Sequence, residues 1–326
     1  VYFGYVSGNY LNVSLEGNLS IDDSDTQWNT NIDFTGSNNQ TIADSVAWTG
    51  NSGSGYGTWD IDKTAGRVTV QNDFATSNIP VTVTAGTLDL NGYIMTPAGC
   101  TISVADGATL ALHGAETSPT PTLSAGSTVE YNDASATRAI KDWTYSNLLI
   151  NGTGSTYSLA ANETINNFEI TAGTFSLGSY DMDLDGSFTN AGTFSANSKT
   201  VTVSGTALQS FDGTMTGSSA FYNLTITNAS VAGVSFLDSA EFDGTLTANT
   251  ASTQIAFEAG ETYTIANIAM DGQDSLTRVT LRSSSDGYPY YFDCEEATPT
   301  VHSVDVMDSD RSEEHTSELQ SPNTNS

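Results

Sequence analysis

Basic charge is nearly missing from this chain: 8 Lys and Arg stand against 38 Asp and Glu in 326 residues, a formal charge of -30. Such a surface repels a phosphate backbone and an anionic membrane alike, so nucleic acid is excluded as an expected partner. Cysteine is as scarce. Cys100 and Cys294 lie outside any CxxC or His-bearing spacing, which argues against zinc and makes two separate small apolar side chains the expectation rather than a disulfide. Long hydrophobic runs are also missing. No stretch approaches the ~18 apolar residues of a membrane helix, so no membrane-spanning helix is expected in this chain. It opens on Val1 without a charged and apolar leader, as a mature end or a fragment boundary would. There is no GxSxG elbow and no phosphate-binding glycine loop, which removes support for nucleophilic catalysis and nucleotide binding.

What is present is neutral and polar. Only 37% of the residues are hydrophobic and 14% charged, yet aromatics reach 10%, too many for a disordered chain. An acidic, lysine-poor surface stays soluble in salty or calcium-rich water, which points to an extracellular or cell-surface location.

The chain repeats itself. AGTFSLGSYDMDLDG at 172–186 returns nineteen residues on as AGTFSANSKTVTVSG at 191–205, placing Phe175 with Phe194 and Gly186 with Gly205. Shorter echoes are AGTLDLNGYIM (85–95), DGATLALHG (106–114) and AGSTVEY (125–131). At longer offsets, Asn147, Leu148 and Ile150 match Asn223, Leu224 and Ile226, while Gly36 and Gln40 match Gly205 and Gln209. Within each unit apolar residues alternate, as in Leu88 and Leu90 or Val201 and Val203, the period of a strand with one face buried. The runs are short and end in Gly, Asn or Asp, residues suited to tight corners. A fixed period near twenty predicts a solenoid in which like stacks on like, because a single coil has no core of its own.

The expected fold is therefore all-β: a parallel β-helix, a single-stranded solenoid with coils of about 19–21 residues. The AGTF phrases, the SNLLI and YNLTI strands and the TVTVSG run resemble the right-handed parallel β-helix repeats of large secreted bacterial and archaeal surface proteins, of the adhesin-like and autotransporter-passenger type. That resemblance implies a non-catalytic stalk or adhesive face that meets glycans or other cell-surface components. Residues 31–310 are assigned to the β-helix, with a possible loop insertion at 50–57 and a longer loop at 283–300. Residues 1–30, with Trp28 near their end, are assigned to an irregular or capping segment. RSEEHTSELQSP at 311–322 abandons this idiom and resembles a sequencing adapter read in frame, so 311–326 is set aside as a non-native, disordered tail.

Three features invite a functional reading. Asp181, Asp183 and Asp185 in DMDLDG resemble the opening of a calcium loop, although the twelfth position is Gly192 and Met182 and Leu184 behave as inward strand residues. Calcium is the one ion this pattern admits, and no other cofactor is expected. The densest mixture of ionisable groups lies at 270–310, where Asp271, Asp274, Arg278, Arg282, Asp286, Tyr288 and Tyr290 could form a ligand face. The alternative function rests on them: a carbohydrate-active β-helix, either a polysaccharide-binding module or a calcium-dependent lyase with an arginine base. Finally, Asn12, Asn18, Asn39, Asn151, Asn162, Asn223 and Asn228 match the N-x-S/T acceptor pattern.

Overall fold

The structure, a computed structural model, describes residues 11–21, 30–44, 57–73, 80–95, 100–294 and 299–311. Trp28, Trp48, nearly all of the loop expected at 50–57 and the tail from 312 lie outside the described residues. Two compact units, Val1–Thr202 and Val203–Ser326, divide the chain. Each is a parallel β-solenoid. Among the described residues the sole helical element is a 3-10 turn, Gly217–Ser219.

The first unit carries β1 (Leu11–Leu15), β2 (Leu19–Ile21), β3 (Thr30–Phe34), β4 (Gln40–Asp44), β5 (Trp59–Val70), β6 (Pro80–Asp89), β7 (Thr101–Val104), β8 (Thr109–Leu112), β9 (Thr122–Leu123), β10 (Thr128–Tyr131), β11 (Thr137–Ala139), β12 (Tyr145–Ser158), β13 (Glu163–Ser176), β14 (Met182–Leu184), β15 (Phe188–Asn190) and β16 (Thr193–Ser195), with β17 (Thr200–Val203) at the boundary. Each strand pairs in parallel with the equivalent strand one coil on. Thr174, Phe175 and Ser176 lie against Thr193, Phe194 and Ser195, as the doubled phrase predicts. Leu110 and Leu112 lie against Val129 and Tyr131, and Asn147, Leu148 and Ile150 against Asn167, Phe168 and Ile170. The corners between strands are turned by residues at positive φ, such as Asn91 and Gly92 or Asn197 and Ser198; Gly and Asn tolerate that left-handed backbone better than most.

The expected period holds where the phrases are clearest: Thr109 to Thr128 and Thr128 to Asn147 are each nineteen residues. Elsewhere coils lengthen, to 27 residues from Ile32 to Trp59 and to 31 from Ala269 to Thr300. The paired strands nevertheless keep their parallel register across coils of unequal length. Strands also begin earlier than expected. Residues assigned to a cap supply β1 and β2, which pair with β3 and β4.

Inward residues form columns. Tyr157, Phe175 and Phe194 stack in register and are fully buried, and Phe168 meets Phe175 from across the interior at 4.6 Å between ring centroids. Each such ring contributes about 1.5–3 kcal/mol by leaving water. The interior is not purely apolar. Gln40 and Lys63 are buried; the Lys63 ammonium donates to the Gln40 side-chain oxygen, and the Gln40 amide donates to the carbonyls of Leu15 and Gly17. Buried polar groups persist when they satisfy one another in this way.

The second unit holds β18 (Gln209–Gly213), β19 (Asn223–Ile226), β20 (Val234–Phe236), β21 (Ala240–Ala248), β22 (Gln254–Phe257), β23 (Thr262–Asp271), β24 (Val279–Ser283), β25 (Tyr290–Asp293), β26 (Thr300–His302), β27 (Val304–Val306) and β28 (Ser309–Arg311). Phe211, Phe236 and Phe257 stack in register, the last two with nearly parallel rings 5.5 Å apart. Gln209 is buried like its sequence match Gln40, its side-chain oxygen accepting from the Gly205 amide and the Asn228 side chain. Within the loop expected at 283–300, β25 forms a strand paired with β23.

Candidate ligand-binding face

Strand alternation turns every second residue of β5, β6, β8, β10, β12 and β13 outward, and register aligns these residues into two rows on the first unit. One row runs Arg67, Thr87, Thr109, Thr128, Asn147, Asn167; the other runs Thr69, Asp89, Ala111, Glu130, Leu149, Glu169. At one end Arg67 bridges two carboxylates from different coils: Nη1 lies 2.8 Å from Asp89 Oδ2 and Nη2 lies 3.5 Å from Glu130 Oε2. Asn151 Nδ2 donates to Glu130 Oε1 at 2.8 Å. Asp89 and Glu130 are both buried, so removing the arginine would leave two acids in a poorly solvated site.

Along the same rows lies an open groove of about 460 Å³, lined by Thr109, Thr128, Asn147, Leu149, Asn167 and Glu169, and extending to Thr189. Amides bind its coils together: Asn167 Nδ2 donates to Asn147 Oδ1 at 2.9 Å, Asn147 Nδ2 donates to the Gly126 carbonyl at 3.0 Å, and Asn167 Oδ1 accepts from the Ser187 amide at 2.9 Å. The Glu169 carboxylate is exposed, the three threonine hydroxyls are half-exposed, and Leu149 gives the floor an apolar patch. Hydroxyl, amide and carboxylate groups repeated at the coil spacing of ~4.8 Å suit a ligand with hydroxyls of its own at a similar repeat.

Two further acids, the buried Glu116 and the partly buried Asp133, hold corners of the same unit. Glu116 accepts backbone N–H groups from Gly92 at 2.9 Å, Gly114 at 2.6 Å and His113. Replacing Glu116 with glutamine is expected to cost about 2 kcal/mol, because charge-assisted bonds become neutral and one oxygen becomes a donor. Urea unfolding measures this, and an unshifted midpoint would show that the carboxylate is not what holds the corner. Asp133 sits between the Arg138 guanidinium at 3.1 Å and His113 at 3.9 Å. Its backbone N–H donates to the Tyr157 hydroxyl at 2.8 Å, and burial pushes that phenol up to about 12.

The residues singled out from sequence fall differently. Asp181, Asp183 and Asp185 are outward and exposed around β14, with Met182 and Leu184 buried between them; Asp181 Oδ1 accepts from the Thr200 amide at 2.8 Å. Among the described residues no group of three or more His, Cys, Asp or Glu side chains is placed to hold a metal ion. Of the suggested face at 270–310, Arg282, Asp274 and Asp271 serve separate local roles. Arg282 pairs with Asp305 at 2.9 Å. Asp274 accepts the amides of Leu276 and Thr277 in a turn, which holds its carboxyl below the usual range. Asp271 accepts the Gln273 amide at 2.8 Å, while Arg278, Asp286 and Tyr288 are exposed. Tyr290 is a correction: it lies fully buried against Phe257 at 4.9 Å, because the register of β25 turns it into the core. Neither cysteine forms a disulfide.

Several asparagines of the acceptor pattern tie neighbouring coils together. Asn18, Asn39, Asn162 and Asn223 each accept a backbone N–H from the following coil, on Thr41, Arg67, Asp181 and Thr245, and Asn228 is buried. The ion pairs of the first unit are hard to read in the sequence because Arg67, Asp89 and Glu130 are far apart along the chain; aligned on their glycines, AGTLDLNG and AGSTVEY set Asp89 over Val129, and one inserted residue is needed to bring it over Glu130. Compared with protein-family models, curated proteins and solved structures, the chain gives no match.

Proposed function

We propose that the chain is a non-catalytic adhesive segment of a secreted or cell-surface protein, of the adhesin-like kind its repeats resemble, and that the groove on the first unit is its glycan-binding face. The observation that carries this reading is the alignment of Thr109, Thr128, Asn147 and Asn167 along a groove of about 460 Å³ with Leu149 on its floor. Aligned polar groups can address successive hydroxyls of a sugar chain, and an apolar patch suits the C–H face of a pyranose ring. Charge narrows the ligand class. Glu169 on the groove and a formal charge of -30 disfavour uronate or sulfated polymers and favour uncharged glycans.

Affinity electrophoresis through gels containing neutral or acidic polysaccharides tests this. Retardation by a neutral polymer is expected, weakened about tenfold when Thr109 and Thr128 are both changed to alanine, as loss of ~1.4 kcal/mol implies. Undiminished binding by that variant, or no binding to any polymer, would remove the groove from the reading. Unsaturated products appearing in the ultraviolet on incubation with acidic polymers and calcium would replace adhesion with lyase activity.

A further inference from the structure

Glu163 opens β13 with its side chain turned into the first unit, 6% exposed, and its Oε1 atom has no hydrogen-bond partner. Its carboxyl reaches a second acid, Asp142, on the 140–144 segment between β11 and β12. Two carboxyl groups share a hydrogen bond only while a proton lies between them. The other groups around it supply no positive charge. Tyr131 of β10 and Tyr145 of β12 stand nearby, their hydroxyls 2.9 Å apart. On β14, Met182 lies beside Glu163 in register, while Asp181 and Asp183 face outward. Lys141, the base of the segment, turns its ammonium to the Glu116 carbonyl at 2.7 Å.

We propose that Glu163 and Asp142 form a proton-dependent latch, which fixes the 140–144 segment to the solenoid and loosens it as the medium becomes alkaline. The tyrosine hydroxyls tie the same segment down: Tyr131 accepts the Lys141 amide at 2.8 Å, and Tyr145 donates to the Lys141 carbonyl. When Glu163 ionises, repulsion from Asp142 acts on a segment held at Ile140 and Lys141 by hydrogen bonds and at Trp143 by its amide on the Lys141 carbonyl and its ring 6.5 Å from that of Tyr145, so Asp142 and Trp143 are the part that shifts outward. Burial, then the nearby Asp142, raises Glu163 from the usual glutamate range to about 7. The sign follows. The fold retains the proton longer than the unfolded chain does, so the latch is complete below the ordinary glutamate range and is lost as pH rises through about 7.

Trp143 makes the movement visible. In the full chain, the part of the tryptophan emission that disappears in a Trp143→Phe variant is expected to shift to longer wavelength between pH 5.5 and pH 8.5. Glu163→Gln is expected to keep the acid-form emission at both pH values. Should that variant fail to fold, Asp142→Asn, at an exposed position, is expected to abolish the shift in the same way. A Trp143 emission that does not change with pH, or a transition that survives Asp142→Asn or a folded Glu163→Gln with its midpoint unmoved, would overturn the latch.

Discussion

Changing Gly173 to alanine is expected to destabilise the first unit by about 3 kcal/mol or more, from two sources that can be separated. Gly173 has φ +85, and a Cβ placed there would lie 2.2 Å from the Gly152 carbonyl oxygen and 3.0 Å from that of Ser155. The positive φ alone accounts for roughly 1 kcal/mol. The remainder is collision with backbone of the neighbouring coil, which cannot retreat because β12 and β13 are paired on both sides of the contact. Gly178 supplies the control: its φ is +61, yet an added Cβ would meet nothing within 4 Å. Thermal unfolding followed by circular dichroism should therefore show a small loss for Gly178→Ala and a loss several times larger for Gly173→Ala. Equal losses would mean that the approach of the two backbones is not close enough to exclude a methyl group.

An equally large effect is expected in the second unit from Phe236→Ala, about 3–5 kcal/mol by the usual cost of emptying a buried aromatic site. Its ring stands 5.0 Å from Phe211, 5.5 Å from Phe257 and 5.9 Å from both Phe242 and Tyr263. The column is fed by register, so the cavity cannot close without displacing strands above and below. Solenoid stability is approximately a sum of coil and interface terms, which predicts that the loss is concentrated nearby. Hydrogen exchange should quicken most in β18, β20 and β22, and Phe236→Leu should recover more than half of the loss. Protection lost evenly along the second unit would argue instead for all-or-none unfolding.

The sequence makes the stacking legible because a solenoid writes its register into the spacing of its residues. Phe175 on Phe194 follows directly from the doubled phrase, and the long-range match of Gln40 with Gln209 marks two buried amides that satisfy backbone groups from within. Alternation likewise gave the outward aspartates around Met182 and Leu184. Parity failed where spacing gave no anchor: Tyr288, Tyr290 and Tyr291 follow a corner, and without the register of β25 nothing says which of them turns inward. The candidate face was less legible still. Arg67, Asp89 and Glu130 belong to different coils, and coil lengths there vary, so a pattern search finds each as a lone surface charge. Crowding of ionisable residues along the chain at 270–310 points instead to side chains that serve separate turns or an ion pair, as Asp271, Asp274 and Arg282 do, or that stand exposed, as Arg278 and Asp286 do.

Coils range from eighteen residues between Thr156 and Thr174 to thirty-one between Ala269 and Thr300 without losing parallel register. The surplus is spliced in at bends. Such bends are natural grafting points: a foreign peptide of a dozen residues inserted near Gln273 would lengthen a protrusion that already exists, leaving the side-chain layers beneath it undisturbed.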